Sequence, residues 1–339
     1  MRLNTSDLSS MSKVLLVRFS SIGDIVLTTP VIRTLKAARP DWEIHYLTKP
    51  GYRDLLVHHP DLEQVHVLAE NFGQTLQALR REDFTHIIDL HANLRSLRLK
   101  LGLRASSSTV RKYNWQKYRL VRTKRLRRPI PHIVSRYEDT LRPFGIAPAG
   151  NPLALYLPPG LETWAQETLA QAGFPGGRVP LAVVLGATHR TKRWLPEHFV
   201  TLLRRYQRPV LLLGGPDARA EADTLLSTLQ LPIFDAVGQY GLLEAAALMK
   251  QARKVLTHDT GFMHIAAAFG LEVYSLWGST VPALGMTPWQ TPHVLLEGPD
   301  LPCRPCSKIG FDQCPEGHFR CMRELRPEQV LTALEQGIG

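Results

Sequence analysis

No apolar run in this 339-residue chain approaches the ~20 residues that a helix needs to cross a bilayer. The first dozen residues are polar and lack the apolar stretch of a secretory signal, so the chain is expected in the cytoplasm. Cysteine is missing until Cys303, and all four thiols (Cys303, Cys306, Cys314, Cys321) then crowd toward the C-terminus, with His318 between the last two. They read as reduced, loop-packing residues, because disulfides are uncommon in the cytosol. A tetrahedral zinc site on the four is the alternative, although the six residues between the last pair are not the short spacing of a zinc ribbon. Glycine is scarce where a dinucleotide would need it. The turn Phe19-Ser20-Ser21-Ile22-Gly23-Asp24 has one glycine where the dinucleotide fingerprint has three, which argues against a nicotinamide dehydrogenase.

Acidic residues are absent from Leu90 through Tyr137. Arg95, Arg98, Lys100, Arg104, Arg111, Lys112, Lys117, Arg119, Arg122, Lys124, Arg125, Arg127 and Arg128 all fall in that stretch, interleaved with Tyr113, Trp115 and Tyr118. The net charge of +11 implies an acidic partner. Such a stretch suits a membrane surface, with aromatics at the interface and cations over anionic headgroups. It also suits a nucleic-acid backbone, although no nucleic-acid motif accompanies it. A plain solvated face is the third reading, and it leaves many like charges without a counter-charge.

What is present is an ordinary 44% apolar content and a length that favours two domains. Val14 to Phe19 reads as a buried strand, Ile25 to Ala38 as a helix ended by Pro40, Glu43 to Leu47 as a strand, Thr75 to Arg81 as a helix and Phe84 to Asp89 as a strand. Leu181 to Leu185, Val210 to Leu213 and Lys254 to Thr257 repeat the scheme. The alternation predicts parallel sheets covered by helices. Pro143 to Gly160 reads as a linker. The expected divisions are an extension over residues 1–12, of which 1–10 are assigned no role, a first Rossmann-like domain over 13–155, a second over 156–326 and a terminal helix over 327–339.

Three strand-to-helix turns carry the chemistry. Asp259-Thr260-Gly261 follows a short strand and opens the alanine-rich helix of Met263 to Ala268, whose first N–H groups and dipole suit a phosphate. Asp259 then stands where sugar hydroxyls would lie; the plainer reading is that Asp259 or Thr260 caps the helix. Gly23-Asp24 places a carboxylate at a helix start, where the dipole favours its charged form, and capping is again the plainer role. The loop Gly186-Ala187-Thr188-His189-Arg190-Thr191-Lys192-Arg193-Trp194 gathers hydroxyls and cations that suit a diphosphate, or simply water.

Taken in order, Val14 to Thr29 (VLLVRFSSIGDIVLTT), Asp89 to Ser96, Lys192-x-Trp194, Asp259-Thr260-Gly261-x-Met263-His264 and Trp277-Gly278-Ser279-Thr280 resemble the ADP-heptose:lipopolysaccharide heptosyltransferases of glycosyltransferase family 9. The resemblance runs from Lys13 over nearly the whole chain. It implies an α/β GT-B fold, two Rossmann-like domains facing across a cleft, with acceptor on the first and nucleotide sugar on the second. It further implies an inverting transfer of heptose from ADP-heptose to the anionic inner core of lipopolysaccharide, without cofactor or metal, by a cytoplasmic enzyme peripheral to the inner membrane. By the same resemblance Asp24 would be the general base; Thr188, Lys192, Asp259, Thr260, Gly261 and His264 would bind the donor; Ser21, Gly23, His91, Asn93 and Arg95 would bind the acceptor. His91-Ala92-Asn93 departs from the family's commoner Gln-Gly-Asn, so His91 either touches the acceptor or merely packs. Another nucleotide sugar, a nucleotide-sugar epimerase and a nucleic-acid-binding protein stay as alternatives. The terminal helix is of a kind that crosses back to the first domain in GT-B folds.

Overall fold

Val14, Leu15, Leu16 and Val17 are wholly buried, as a central strand covered on both faces requires. In the computed structural model, which describes residues 12–338, they form β1 (Lys13–Val17). The expected extension lies outside the described residues except for Ser12. The chain packs as two units. One runs to Lys112 and resumes over Pro131–Tyr156; the other takes Tyr113–Ile130 and the chain from Leu157 onward.

After β1 come α1 (Ile22–Val26), α2 (Thr29–Ala38), β2 (Glu43–Thr48), β3 (Gln64–Val67), α3 (Phe72–Arg80), β4 (His86–Asp89), α4 (Leu94–Leu103) and β5 (Ser106–Thr109). Next is α5 (Asn114–Thr123), counted with the second unit, and α6 (Ile133–Glu138), which belongs to the first. The first sheet is parallel throughout, in the order β3-β2-β1-β4-β5. Leu15, Val17, Leu47, Leu79, Ile87 and Leu99 form one of its buried clusters.

The helix expected over Ile25 to Ala38 is two helices. Pro30 has no N–H to give Val26, and its ring would press on that carbonyl, so the first helix stops short. Thr28 and Thr29 hydroxyls instead bond to Ile25 O (2.6 Å) and Val26 O (2.7 Å). The helix expected over Thr75 to Arg81 starts earlier, at Phe72, because Asn71 caps it by accepting from Gly73 N (2.8 Å).

In the second unit α7 (Leu161–Gln171), β6 (Val179–Val184), α8 (Pro196–Tyr206), β7 (Val210–Leu213), α9 (Arg219–Thr228), β8 (Ile233–Asp235), α10 (Leu242–Lys250), β9 (Ala252–His258), α11 (Gly261–Ala268), β10 (Glu272–Trp277), β11 (His293–Glu297), α12 (Arg320–Arg323) and α13 (Pro327–Gln336) follow in turn. Its sheet is also parallel, in the order β11-β10-β9-β6-β7-β8. α13 buries Val330 and Leu334 in this unit's core, and Arg205 of α8 pairs with its Glu328 at 2.9 Å. Each sheet has one seam where the direction of strand addition reverses: β1 beside β4, and β6 beside β9. Ligands of open α/β sheets bind beyond the strand carboxyl ends at such seams. Among the described residues no helix is long and apolar enough to cross a membrane.

Candidate active site

The residues expected to bind acceptor gather at the β1/β4 seam. Arg18, which follows β1, ties the two strand ends together: its Nε donates to Ser20 O (2.7 Å) and its Nη1 to Leu90 O (2.9 Å). Its Nη2 lies 2.7 Å from Asp24 Oδ2. Ser21 stands at the N-cap of α1 and also addresses Oδ2, through Oγ (2.9 Å) and through its backbone N–H (3.3 Å). Asp24 therefore does cap, by one oxygen. Its Oδ1 has no hydrogen-bond partner among the described residues, and the side chain keeps 22% of its surface open. Burial pushes the Asp24 carboxyl up, but the Arg18 charge and the Ser21 bonds outweigh it and hold the group below the usual carboxylate range. Beneath them Tyr46 and Tyr137 are fully buried, Tyr137 with its ring 5.9 Å from the Arg18 guanidinium.

Asp89 organises the neighbouring turn. Its Oδ1 accepts from His91 N (3.0 Å) and Ala92 N (2.7 Å), and its Oδ2 from Ser96 Oγ (2.8 Å), with Lys100 Nζ at 3.1 Å. Asn93 caps α4 by accepting from Ser96 N (2.9 Å), which commits its carbonyl oxygen and leaves its amide nitrogen at the surface. The His91 ring packs on Phe19 with centroids 4.9 Å apart, and Arg95 lies over the same Phe19 ring. Burial, then Arg18 and Lys112, push His91 down to about 4, so it is a neutral ring at pH 7. Ser21, Asn93 and Arg95 are exposed; Gly23 is buried.

The residues expected to bind donor collect at the β6/β9 seam. Gly186 leaves β6 with φ of 74°, and a Cβ there would stand 2.9 Å from Ala218 Cβ, so only glycine makes this exit without strain. His258, wholly buried at the end of β9, clamps both ends of the following loop: its Nδ1–H donates to Gly186 O (3.0 Å) and its Nε2 accepts from Trp194 N (2.9 Å). Burial pushes it down to about 4, so the clamp is a neutral imidazole. Within the loop, the buried Thr191 hydroxyl donates to Phe311 O (2.9 Å) and accepts from Phe311 N (2.8 Å) and Ser279 Oγ (3.0 Å). Arg193 is engaged by Asp217 and Glu221.

Lys192 and Asp259 are each other's partner. Lys192 Nζ donates to Asp259 Oδ2 (2.7 Å) and Asp259 O (3.1 Å), while Thr280 Oγ1 donates to the same Oδ2 (2.9 Å). The carboxylate and carbonyl of Asp259 thus hold the ammonium beside the carboxyl end of β9. Thr260 occupies the N-cap of α11, yet no side chain caps that helix; Met263 N bonds to Thr260 O (3.2 Å), and the Gly261 and Phe262 amides before it are left for another acceptor. The plainer reading of Asp259 and Thr260 as side-chain caps does not hold. Thr188 is exposed and its hydroxyl makes no hydrogen bond among the described residues, whereas His264, in the second turn of α11, is 3% exposed. Arg18, Asp89, Thr191, His258 and Thr280 were not singled out by sequence reasoning. All but His258 nevertheless fell inside quoted segments.

The cysteines are all free, with Cys303 Sγ 3.7 Å from His318 Nε2. Burial, reinforced by neighbouring thiols, pushes Cys306 up to about 12, and burial pushes Cys321 up to about 11, so both are thiols at neutral pH. The described residues hold no group of three or more His, Cys, Asp or Glu arranged to take a metal ion.

The chain is 27% identical to lipopolysaccharide heptosyltransferase 1 of Pseudomonas aeruginosa, over 95% of this chain and 97% of that one. Among solved structures it resembles a family 9 glycosyl transferase from Veillonella parvula (TM-score 0.78, 21% identity, 96% and 97% of the two chains). It also resembles the ADP-heptose lps heptosyltransferase II of E. coli (TM-score 0.67, 20% identity, 96% and 100%). The two parallel sheets are those of a GT-B glycosyltransferase. Residues 73–317 match the sequence profile of glycosyltransferase family 9 (heptosyltransferase), and the chain belongs to that family.

Proposed function

We propose that this glycosyltransferase moves a heptose from ADP-heptose to the inner core of lipopolysaccharide, with inversion at the anomeric carbon. The observation that carries the reading is the division of labour at Asp24: Oδ2 is fully engaged by Arg18 and Ser21, and Oδ1 is bare. A carboxylate fixed on one side and open on the other is built to receive a proton in one direction. The names of relatives supply the sugar and the acceptor.

On this reading the first unit binds the acceptor through Ser21, Gly23, His91, Asn93 and Arg95. The acceptor hydroxyl gives its proton to Asp24 Oδ1 as its oxygen attacks the anomeric carbon, and the bond from that carbon to the diphosphate oxygen breaks. Negative charge then grows on the departing ADP. Lys192, the Thr188 hydroxyl and the amides at Thr260 and Gly261 would take it, and donors that need no reorganisation are the effective ones. Asp259 keeps Lys192 aimed and, with His264, lies on the sugar side. Loss of one preorganised donor costs ~10² or more in rate, and positioned proton removal supplies ~10² to 10⁴. The enzyme works at the cytoplasmic face of the inner membrane, where a lipid-linked acceptor is presented.

The test is transfer from ADP-heptose to a truncated, deep-rough lipopolysaccharide by the wild-type chain and by Asp24→Ala. Transfer that falls by ~10² or more while ADP-heptose binding persists supports the reading. A folded wild-type chain that neither transfers nor binds ADP-heptose sinks it and directs attention to other nucleotide sugars.

A further inference from the structure

α4 has two apolar sides. Ser96 and Leu99 are wholly buried, Leu103 packs with them, and Gly102 lies so close to α3 that a Cβ would stand 2.6 Å from Leu76 Cδ1. On the opposite side Leu94, Leu97 and Leu101 recur at the three- and four-residue spacing that aligns side chains along a helix. They are 80%, 46% and 69% exposed. One exposed leucine needs no explanation, but three in line on a ten-residue helix make a stripe.

Cations border the stripe. Arg95 and Arg98 lie along one flank and Arg104 at the C-terminal end. The first two guanidinium groups rest over Phe19 (5.8 Å) and Phe72 (5.1 Å), and α4 itself has no acidic residue to pair with them. Glu70 shares a hollow with Arg95 and Arg98 and makes no ion pair with either. The helix is thus apolar in the middle of its outer face and positive at its margins.

That combination selects its partner. A second copy packed stripe to stripe would bring like charges together around the leucines, and a nucleic acid would take the arginines while leaving the leucines in water. A bilayer with anionic headgroups accepts both, leucines at the acyl boundary and guanidinium groups at the phosphates. Ten residues span only ~15 Å as a helix, suited to lying in the interface plane and too short to cross.

We propose that the outer face of α4 is where this protein rests on an anionic membrane, through Leu94, Leu97 and Leu101 bordered by Arg95, Arg98 and Arg104. Vesicle binding does not require turnover, so the proposal stands whether or not the transfer reading does.

The experiment is co-sedimentation of the full chain with vesicles of phosphatidylcholine alone, or of phosphatidylcholine mixed with phosphatidylglycerol. The wild type is expected on the mixed vesicles and not on the neutral ones. L94S/L97S/L101S is expected to lose roughly tenfold or more in partitioning while keeping its thermal melt, since these side chains are exposed. R98E/R104E is expected to lose binding and most of its salt dependence. Equal binding by the leucine variant, or none by the wild type, overturns the proposal. So does a dimer in sedimentation equilibrium that the leucine substitutions disperse while vesicle binding persists, because the stripe would then belong to a second copy.

Discussion

At the scale of single residues, the decisive contact is one that spacing in the sequence did not reveal. Asp24 is legible because a carboxylate at a helix start is a known signal; Arg18 is not, because its meaning depends on Leu90, which β-pairing brings alongside it. Arg18 sets how strong a base Asp24 is. Burial alone would raise the carboxyl, and the guanidinium is the largest influence lowering it. On the proposed mechanism Arg18→Gln therefore removes the largest influence that lowers the carboxyl and leaves only the Ser21 bonds against burial. The acid limb of kcat/KM should move up toward neutral pH, together with a loss of maximal rate. The measurement is the pH profile of kcat/KM for both chains; an acid limb that stays put would show that Asp24 is not the group whose protonation stops the reaction. The same logic separates Lys192 from Asp259. Each was assigned separately to the donor, and the structure shows that the carboxylate first serves the lysine.

At the scale of elements, the turn from β4 into α4 contains a backbone cost that the sequence hinted at. Ala92 has φ of 53°, in the left-handed region, at the position where the commoner pattern has glycine. The Asp89 carboxylate offsets that cost by accepting from His91 and Ala92. Ala92→Gly should therefore stabilise the fold by about 0.5–1 kcal/mol, the left-handed penalty of alanine less the extra unfolded-chain freedom of glycine. A urea midpoint that fails to rise in the variant would contradict this. Buried strands were readable because a sheet covered on both faces demands apolar runs, as over Val14–Val17 of β1 and throughout β7. β5 was not, since Ser106 to Thr109 is an edge strand with one buried side chain and nothing apolar to report. The break between α1 and α2 was missed because periodicity continues through it, while Pro30 and the back-bonding threonines decide the geometry.

At the scale of the whole molecule, neutral histidines that are buried (His59, His258) or half-buried (His66, His91) couple stability to acidity. His59, His66, His91 and His258 are each pushed down to about 4, with burial the largest cause. In the unfolded chain each titrates near 6.5. Between those values the unfolded state binds more protons, so stability is full above about pH 6.5 and is lost as pH falls toward 4. His258 alone represents on the order of 3 kcal/mol across that window. The melting temperature should fall steeply from pH 6.5 to 4.5, and His258→Gln should be less stable at pH 7 but less sensitive to acid. A melting temperature level over that range would refute the assignment of these rings as neutral. Both seams also have a bearing on how the chain comes to be active. Arg18 reaches a carbonyl 72 residues ahead and Lys192 a carboxylate 67 residues ahead, so neither pairing exists in a nascent fragment that has made only local contacts. Long-range parallel pairings form slowly, because the loop between them must close first. The charges that would perform transfer thus come together only once β4 and β9 have paired with their neighbours, and a chain released before then carries the groups without the site.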